Sequence, residues 1–463
     1  MTTDLTRGSP LKRIFFFAMP FLIGNLFQQF YNIADMVIVG RTVGTLAYAA
    51  VGSTGSLVWF ASGAIQSLTV GFSVVTAHHF GSGDEEKVKS SFASAIKLSA
   101  IISIALSVVC VLFAHPMLTL LRTPETLYQD AYDYIVWIFA GLVVTALFNL
   151  LSNMIRALGD SKTPLYFLIV ACVVNIILDF VFIRSFGMGT AGAGLATVIA
   201  QLVSGLLCIV YLIKKHPMLH VKRRHFKADA EMDSHLLRIG IPMAFLNMVL
   251  SIGSVIVQFV TNGFGATYVS AQVTGSKIEN FLIQPLVSFG SAVSVFTAQN
   301  HGAGNYKRVL EGSKKTLLMC FIWCFIAAAI LIPLGKPLIM LIAGDEVTDT
   351  VVEFAYRYIL INTTFTLILS MLIVYKSILQ SIDKTTWPMI SGFTEIVGRG
   401  GVAVLVVFLA ENALVSEELG FSIVCLANPM AWLFGLLTVI ADYLITASRF
   451  KALSKERNDR NID

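Results

Sequence analysis

Charge is scarce in this chain. Only 13% of its 463 residues are Asp, Glu, Lys or Arg, against roughly 25% in soluble domains. With 56% hydrophobic residues, a water-exposed globule is excluded. Cysteine is scarce as well. The six present (Cys110, Cys172, Cys208, Cys320, Cys324, Cys425) all fall in apolar runs without disulfide or zinc spacing, so they read as small packing residues. No phosphate-binding loop is present: "GSGDEE" and "GAGNYK" carry a Gly-x-Gly but no Walker Lys-Ser/Thr, which makes them tight turns and argues against ATP-driven work by this chain. HExxH and Ser/His/Asp sets are missing too, and the adjacent His78 and His79 read as an interfacial helix end rather than a metal site. An integral-membrane enzyme is therefore disfavoured. No cofactor and no nucleic-acid partner are expected, because topology accounts for the net charge of +5.

What the chain does have is long apolar runs, most of them reaching the roughly 20 residues that cross a bilayer. They predict twelve spans, near 12–40, 45–79, 88–115, 128–157, 163–185, 190–215, 236–263, 267–300, 308–335, 350–380, 386–411 and 417–448. The first run has no small-residue cleavage site and is followed by many more, so it is not read as a signal peptide. With the N-terminus inside, the tails and even-numbered loops hold about 24 of the 33 basic residues and the odd-numbered loops about five, which puts both termini in the cytoplasm. One loop alone carries Lys214, Lys215, Lys222, Arg223, Arg224, Lys227 and Arg238, whereas outer loops are acidic, as in "DEVTDTVVE". The expectation is a multi-pass protein of the cell membrane, acting as a monomer in the lipid bilayer.

The sequence is written twice. Pro20 and Asn25 recur as Pro242 and Asn247. "TAHHFGSGDEEKV" and "TAQNHGAGNYKRV" share Thr-Ala-x3-Gly-x-Gly-x4-Val, and "GDSKTP" (Asp160, Pro164) is matched loosely by "IDKTTWP" (Asp383, Pro388). Each half holds an even number of spans, so both start on the same face, as in several secondary transporters. The fold class expected is an all-α polytopic membrane protein, with two six-helix lobes related by a pseudo-two-fold axis along the membrane normal. The lobes are placed at 1–215 and 236–448, with a basic linker at 216–235 and a cytoplasmic tail at 449–463.

A few polar residues interrupt the apolar runs. Asp35, in "NIADMVIVG", and Asp179 each lie about 8–9 Å below the outer boundary at 1.5 Å per helical residue. Asn175 shares a helix face with Asp179 at i,i+4. Thr197 lies at similar depth, Tyr134 is near the outer start of its span, and Asn149 is deeper. A carboxylate in a span costs on the order of 3 kcal/mol and is usually retained for function. Two carboxylates brought together cannot easily both stay ionised, which suits a proton carrier; the same oxygens suit sodium. The alternative is a static polar cluster tying helices together.

The Pro-containing first helix ending in "YNIADMVIVGRTVG", the paired Thr-Ala-x3-Gly-x-Gly turns and "RALGDSKTP" together resemble the MATE (multidrug and toxic compound extrusion) family over essentially the whole chain, most of all its MepA-like bacterial branch. The resemblance implies antiport: drugs or organic cations leave the cell in exchange for H+ or Na+, a function tied to antibiotic resistance. In members with an N-lobe cation site, an Asp of the first helix is grouped with polar residues of helices 4, 5 and 6. The matching positions here are Asp35, Tyr134, Asn149, Asn175, Asp179 and Thr197, with Na+, if used, at Asp35, Asp179, Asn175 and Thr197.

The C-terminal half departs from its twin. Val257 stands opposite Asp35, and "NTTFTLILSMLIVYKSILQS" lacks the helix-10 Asp of some sodium-coupled relatives. Its own intramembrane charges are Lys277, Glu279, Lys376, Glu395, Arg399 and Asp442; Lys277, Glu279, Glu395 and Arg399 are candidate cleft residues, although Glu395 and Arg399 at i,i+4 equally suit a structural ion pair. Pro20 removes a helix hydrogen bond and is either a hinge or a passive kink. The rival within the superfamily is a lipid-linked oligosaccharide flippase. That activity wants a cationic cleft, whereas the N-lobe candidates are acidic or neutral.

Overall fold

The computed structural model describes residues 4–121, 123–227, 229–343, 348–412 and 414–460. Asp345 and Glu346 of the acidic outer loop lie outside the described residues. Among the described residues the regular structure is helical throughout. The helices are α1 (Pro10–Thr42), α2 (Thr45–Ser82), α3 (Glu85–Leu112), α4 (Ala114–Leu120), α5 (Glu125–Ala140), α6 (Leu142–Ala157), α7 (Lys162–Asp179), α8 (Gly189–Lys215), α9 (Ala230–Asn262), α10 (Ala266–Gly302), α11 (Tyr306–Ala343), α12 (Asp349–Gln380), α13 (Thr386–Glu411), α14 (Glu417–Val424) and α15 (Ala427–Arg460). Eleven stretches are long and apolar enough to cross a membrane, and α5 with α6 makes a twelfth. The span expected as one run at 128–157 is thus broken, by 48° between α5 and α6. Gly141 sits at the break. Its ideal Cβ would fall 2.2 Å from Val198 Cγ2, so only the bare backbone lets α8 approach there.

The chain divides into two compact units: Met1–Arg7, Phe16–Met248 and Ala298–Gly304 form the first, and Gly8–Phe15, Val249–Thr297 and Asn305–Asp463 the second. Lipid is as apolar as leucine, so burial from water does not hold such helices together; close packing of small residues and interhelical hydrogen bonds do. The first unit uses both. Gly71 faces the Gly240 backbone, where a Cβ would lie 2.7 Å from Cα. Ser107 Oγ donates to Phe139 O at 2.7 Å, Ser204 Oγ to Phe167 O at 2.7 Å, and Asn153 Nδ2 to Thr69 Oγ1 at 3.1 Å. Leu68, Phe72, Phe92, Leu150, Met154, Leu236 and Ile239 pack together as one core of this unit. In the second unit, Ser294 and Ser381 pair at 2.8 Å, Thr394 and Thr438 at 2.8 Å, and Tyr375 stacks on Tyr443 with 4.0 Å between ring centroids. All six cysteines are buried and free of disulfides, as their placement in apolar runs led us to expect.

The two Gly-x-Gly turns have a division of labour. The second glycine of each, Gly83 (φ +77°) and Gly304 (φ +68°), takes the left-handed conformation just past the end of α2 and α10. The first glycine serves a helix crossing. A Cβ at Gly81 would lie 1.9 Å from Gln299 O, and one at Gly302 would lie 1.9 Å from His78 O. Both contacts are within the first unit, and in the repeat Gly81 corresponds to Gly302 and His78 to Gln299. Each helix therefore uses its own glycine to accept the other's backbone.

Asp160 of "GDSKTP" caps α7. Its Oδ1 accepts the Lys162 and Thr163 backbone N–H groups at 3.1 Å each, and its Oδ2 accepts Thr163 Oγ1 and Tyr211 OH at 2.7 Å each. Burial works against its charge, yet these bonds outweigh it and hold the carboxyl below the usual aspartate value.

Candidate cation-coupling site

α1 runs unbroken through the buried Pro20 and carries Asp35 two turns before its end. Asp179 is the last residue of α7, and the helix continues as a single π turn, Phe180–Ser185. Such wide turns are uncommon and recur at functional positions, because the extra residue re-aims neighbouring side chains. Asp35 is 6% exposed, and Asp179 and Asn175 are fully buried. The carboxyl groups of Asp35 and Asp179 are close neighbours in this buried site. An ionised carboxylate only accepts, so a bond between two of them requires a proton between them.

The surrounding residues orient this pair. With its amide turned to satisfy both ends, Asn175 donates Nδ2–H to Asp179 Oδ2 at 3.1 Å and accepts the Thr197 backbone N–H at 3.1 Å. Thr197 Oγ1 donates to Ala193 O at 3.1 Å and accepts from Tyr31 OH at 3.2 Å. Tyr134 is buried on α5 as an electrostatic neighbour of both acids. Among the described residues no Lys or Arg forms an ion pair with either carboxyl, and the Oδ1 atom of each is buried without a hydrogen-bond donor. Two acids in one buried site without a basic partner call for a proton or a metal cation to relieve their repulsion.

Of the residues singled out in the N-terminal half, Asp35, Asp179, Asn175, Thr197 and Tyr134 are brought together. Asn149 is half-buried on α6, and no hydrogen bond joins it to the cluster. Tyr31 was missed by sequence reasoning. Its signal was the i,i+4 relation to Asp35, which puts both on one face of α1.

In the second unit, Tyr358 OH donates to Glu279 Oε2 at 2.6 Å. Lys277, two residues earlier on α10, is exposed. Glu395 takes its ion pair from Lys376 of α12, and not from Arg399 one turn along its own helix. Arg399 instead directs Nε to Asn428 Oδ1 at 3.2 Å. Among the described residues no group of three or more His, Cys, Asp or Glu is arranged to hold a metal ion.

The MatE family model matches residues 20–181 and 242–399, one stretch in each half of the chain. A probable multidrug resistance protein, YoeA of Bacillus subtilis, is 28% identical over 451 residues, which are 96% of this chain and 95% of that protein. The multidrug export protein MepA of Staphylococcus aureus is 22% identical over 407 residues, covering 87% of each. A crystal structure of a MATE protein in the bent conformation superposes with a TM-score of 0.87 at 20% identity, over 98% of this chain and 99% of that one, which speaks to the fold. Twelve membrane-spanning stretches written as two halves, buried acids within them, and a family match in each half converge: the chain belongs to the MatE (multidrug and toxic compound extrusion) family and is a multi-pass membrane transporter, not an enzyme.

Proposed function

We propose that this chain is a secondary antiporter of the cell membrane that exports amphipathic, often cationic organic compounds while protons flow inward through the Asp35/Asp179 pair. The observation that carries this reading is the meeting of the two buried carboxyl groups with no basic residue between them. One shared proton makes the pair bonded and singly charged. Its loss leaves two negative charges side by side in a poorly solvated site, which is costly until the helices part or a cation enters. Occupancy and the packing of α1 on α7 are thereby linked, and a flexing of α1 at Pro20 transmits the change. Asn175 suits a protonated pair: with its amide so turned it donates N–H to Asp179 and accepts from Thr197, whereas the opposite turn would offer its carbonyl oxygen to sodium, and separate gradients distinguish the two ions.

The family relatives named for multidrug resistance and export support the substrate class. Met and aromatic side chains, 15 Met and 33 Phe here, suit a surface that repacks around varied ligands. The chain works as a monomer with both termini in the cytoplasm, where the basic loops lie. One charge crossing 100 mV supplies about 2.3 kcal/mol, enough to accumulate a neutral substrate roughly fifty-fold against its gradient, while a monovalent cation exchanged for one proton draws on the pH difference alone. The test is dye export from proteoliposomes with pH and sodium gradients imposed separately. A pH gradient drives export by the wild type and not by Asp35→Asn. Export driven by sodium alone overturns the choice of ion, and full pH-driven export by Asp35→Asn overturns the site.

A further inference from the structure

The repeat extends to side chains that its landmarks do not include. "AYDYI" on α5 and "AYRYI" on α12 pair Tyr134 with Tyr358, and "LAT" on α8 and "LAN" on α15 pair Thr197 with Asn428. Measured from Pro164 and Pro388, Asn175 pairs with Arg399 and Asp179 with Ala403. Measured from Pro20 and Pro242, Tyr31 pairs with Gly253 and Asp35 with Val257. These counterparts are bonded to one another within the second unit. Arg399 Nε donates to Asn428 Oδ1 at 3.2 Å, Asn428 Nδ2 to Tyr358 OH at 3.4 Å, and Tyr358 OH to Glu279 Oε2 at 2.6 Å.

Charge is what differs. The N-terminal cluster has two acids and no base. Its counterpart has lost both of those acids, has gained Glu279 from α10, and carries a guanidinium where Asn175 stands. Gly253 makes the room: a Cβ there would lie 2.8 Å from Arg399 Nη1, and the N-terminal half places Tyr31 at that position. Arg399 is only 8% exposed, and both its Nη1 and Glu279 Oε1 are buried without a hydrogen-bond partner. Arginine cannot give up its proton in a protein and cannot leave.

We propose that Arg399 is a resident cation, standing in the C-terminal counterpart of the coupling site where an exchangeable cation acts in the N-terminal half, and that it thereby confines coupling to Asp35 and Asp179. This rests on the reading of the Asp35 cluster as the coupling site. Removing the side chain converts Glu279, Tyr358 and Asn428 into a site for a small monovalent cation, with guanidinium the best fit because it restores the missing group.

The test uses purified full-length protein carrying Asp35→Asn, so that the N-terminal cluster does not contribute, and reads the melting temperature in guanidinium, sodium or choline chloride at matched millimolar concentrations. Asp35→Asn alone shows no guanidinium-specific shift. Adding Arg399→Ala creates a stabilising shift of several degrees in guanidinium, and adding Glu279→Gln abolishes it. Arg399→Gln, which keeps a hydrogen-bonding side chain, serves as the second variant, and folding that depends on guanidinium counts in favour. A folded Arg399 variant with no guanidinium- or sodium-specific shift, a shift that survives Glu279→Gln, or failure of both variants to fold even in guanidinium overturns the proposal. Failure of the coupling-site reading shows instead as pH-driven export by the Asp35→Asn single variant, a readout independent of melting.

Discussion

Asp35 and Asp179 share a buried site that holds no basic residue, whereas Glu395, equally buried, is met by Lys376, and Glu279 sits at the end of a hydrogen-bonded chain that leads to Arg399. The same repeated frame thus carries one cluster of two acids without a basic ion-pair partner among the described residues and one that includes a guanidinium. Duplication made the two halves alike; substitutions at a few positions, Asp35 against Val257 and Asn175 against Arg399 foremost, made them unequal. An exchanger needs a site whose charge changes during the cycle, and it does not need two.

The comparison breaks most visibly at Asp35. Under the proposed coupling, Asp35→Asn removes the exchangeable charge, so pH-driven dye export falls to the level of protein-free liposomes. The variant melts no lower than the wild type, because an acid without a basic partner is replaced by a neutral isostere. Lys376→Met should do the opposite. It leaves Glu395 buried and unpaired, at about 3–5 kcal/mol of stability, which a lowered melting temperature reports; pairing it with Glu395→Gln recovers most of the loss. Gly81→Ala and Gly302→Ala probe the symmetric crossing of α2 and α10. Each forces a Cβ against a carbonyl oxygen, and overpacking of this kind costs about 1–3 kcal/mol. Matching losses in the two variants support the symmetry, and a loss confined to one denies it.

The smallest effect is expected at Asp160. Its carboxyl lies below the usual aspartate value in the folded protein, since bonds from Thr163 and Tyr211 outweigh burial. Its contribution is therefore present above the unfolded-state value and fades as pH falls toward the lower folded value. Asp160→Asn should cost about 1–2 kcal/mol at neutral pH and lose that penalty in acid. Melting curves across pH distinguish this from a penalty that is constant with pH.

Much of the architecture was legible before any coordinates. Apolar runs of bilayer length are a one-dimensional signal, because the membrane imposes span length on the chain directly. The break between α5 and α6 was not legible. Gly141 in an apolar run looks like any other membrane glycine until Val198 of the neighbouring helix is seen against it. Among site residues, Asp35 and Asp179 declared themselves by the cost of a carboxylate in a span. Asn175 followed from its place on the same helix face as Asp179, and the family resemblance placed Thr197 and Tyr134 beside them. Tyr31 gave no signal of that strength, since tyrosine is ordinary in membrane helices. Glu395 and Arg399 invited pairing by their i,i+4 spacing, yet Lys376 reaches Glu395 from another helix, a contact that no spacing along α13 encodes.

Sequence alone determined that this protein spans a membrane many times, that it was built by repetition, and that a few carboxyl groups are held where charge is expensive. All of these follow from composition and order along the chain. Tertiary structure alone decided which polar groups meet. Whether an intramembrane acid becomes an exchangeable site or half of a fixed pair depends on whether a base from a different helix lies within a few ångströms, and distance between helices is not written in distance along the chain.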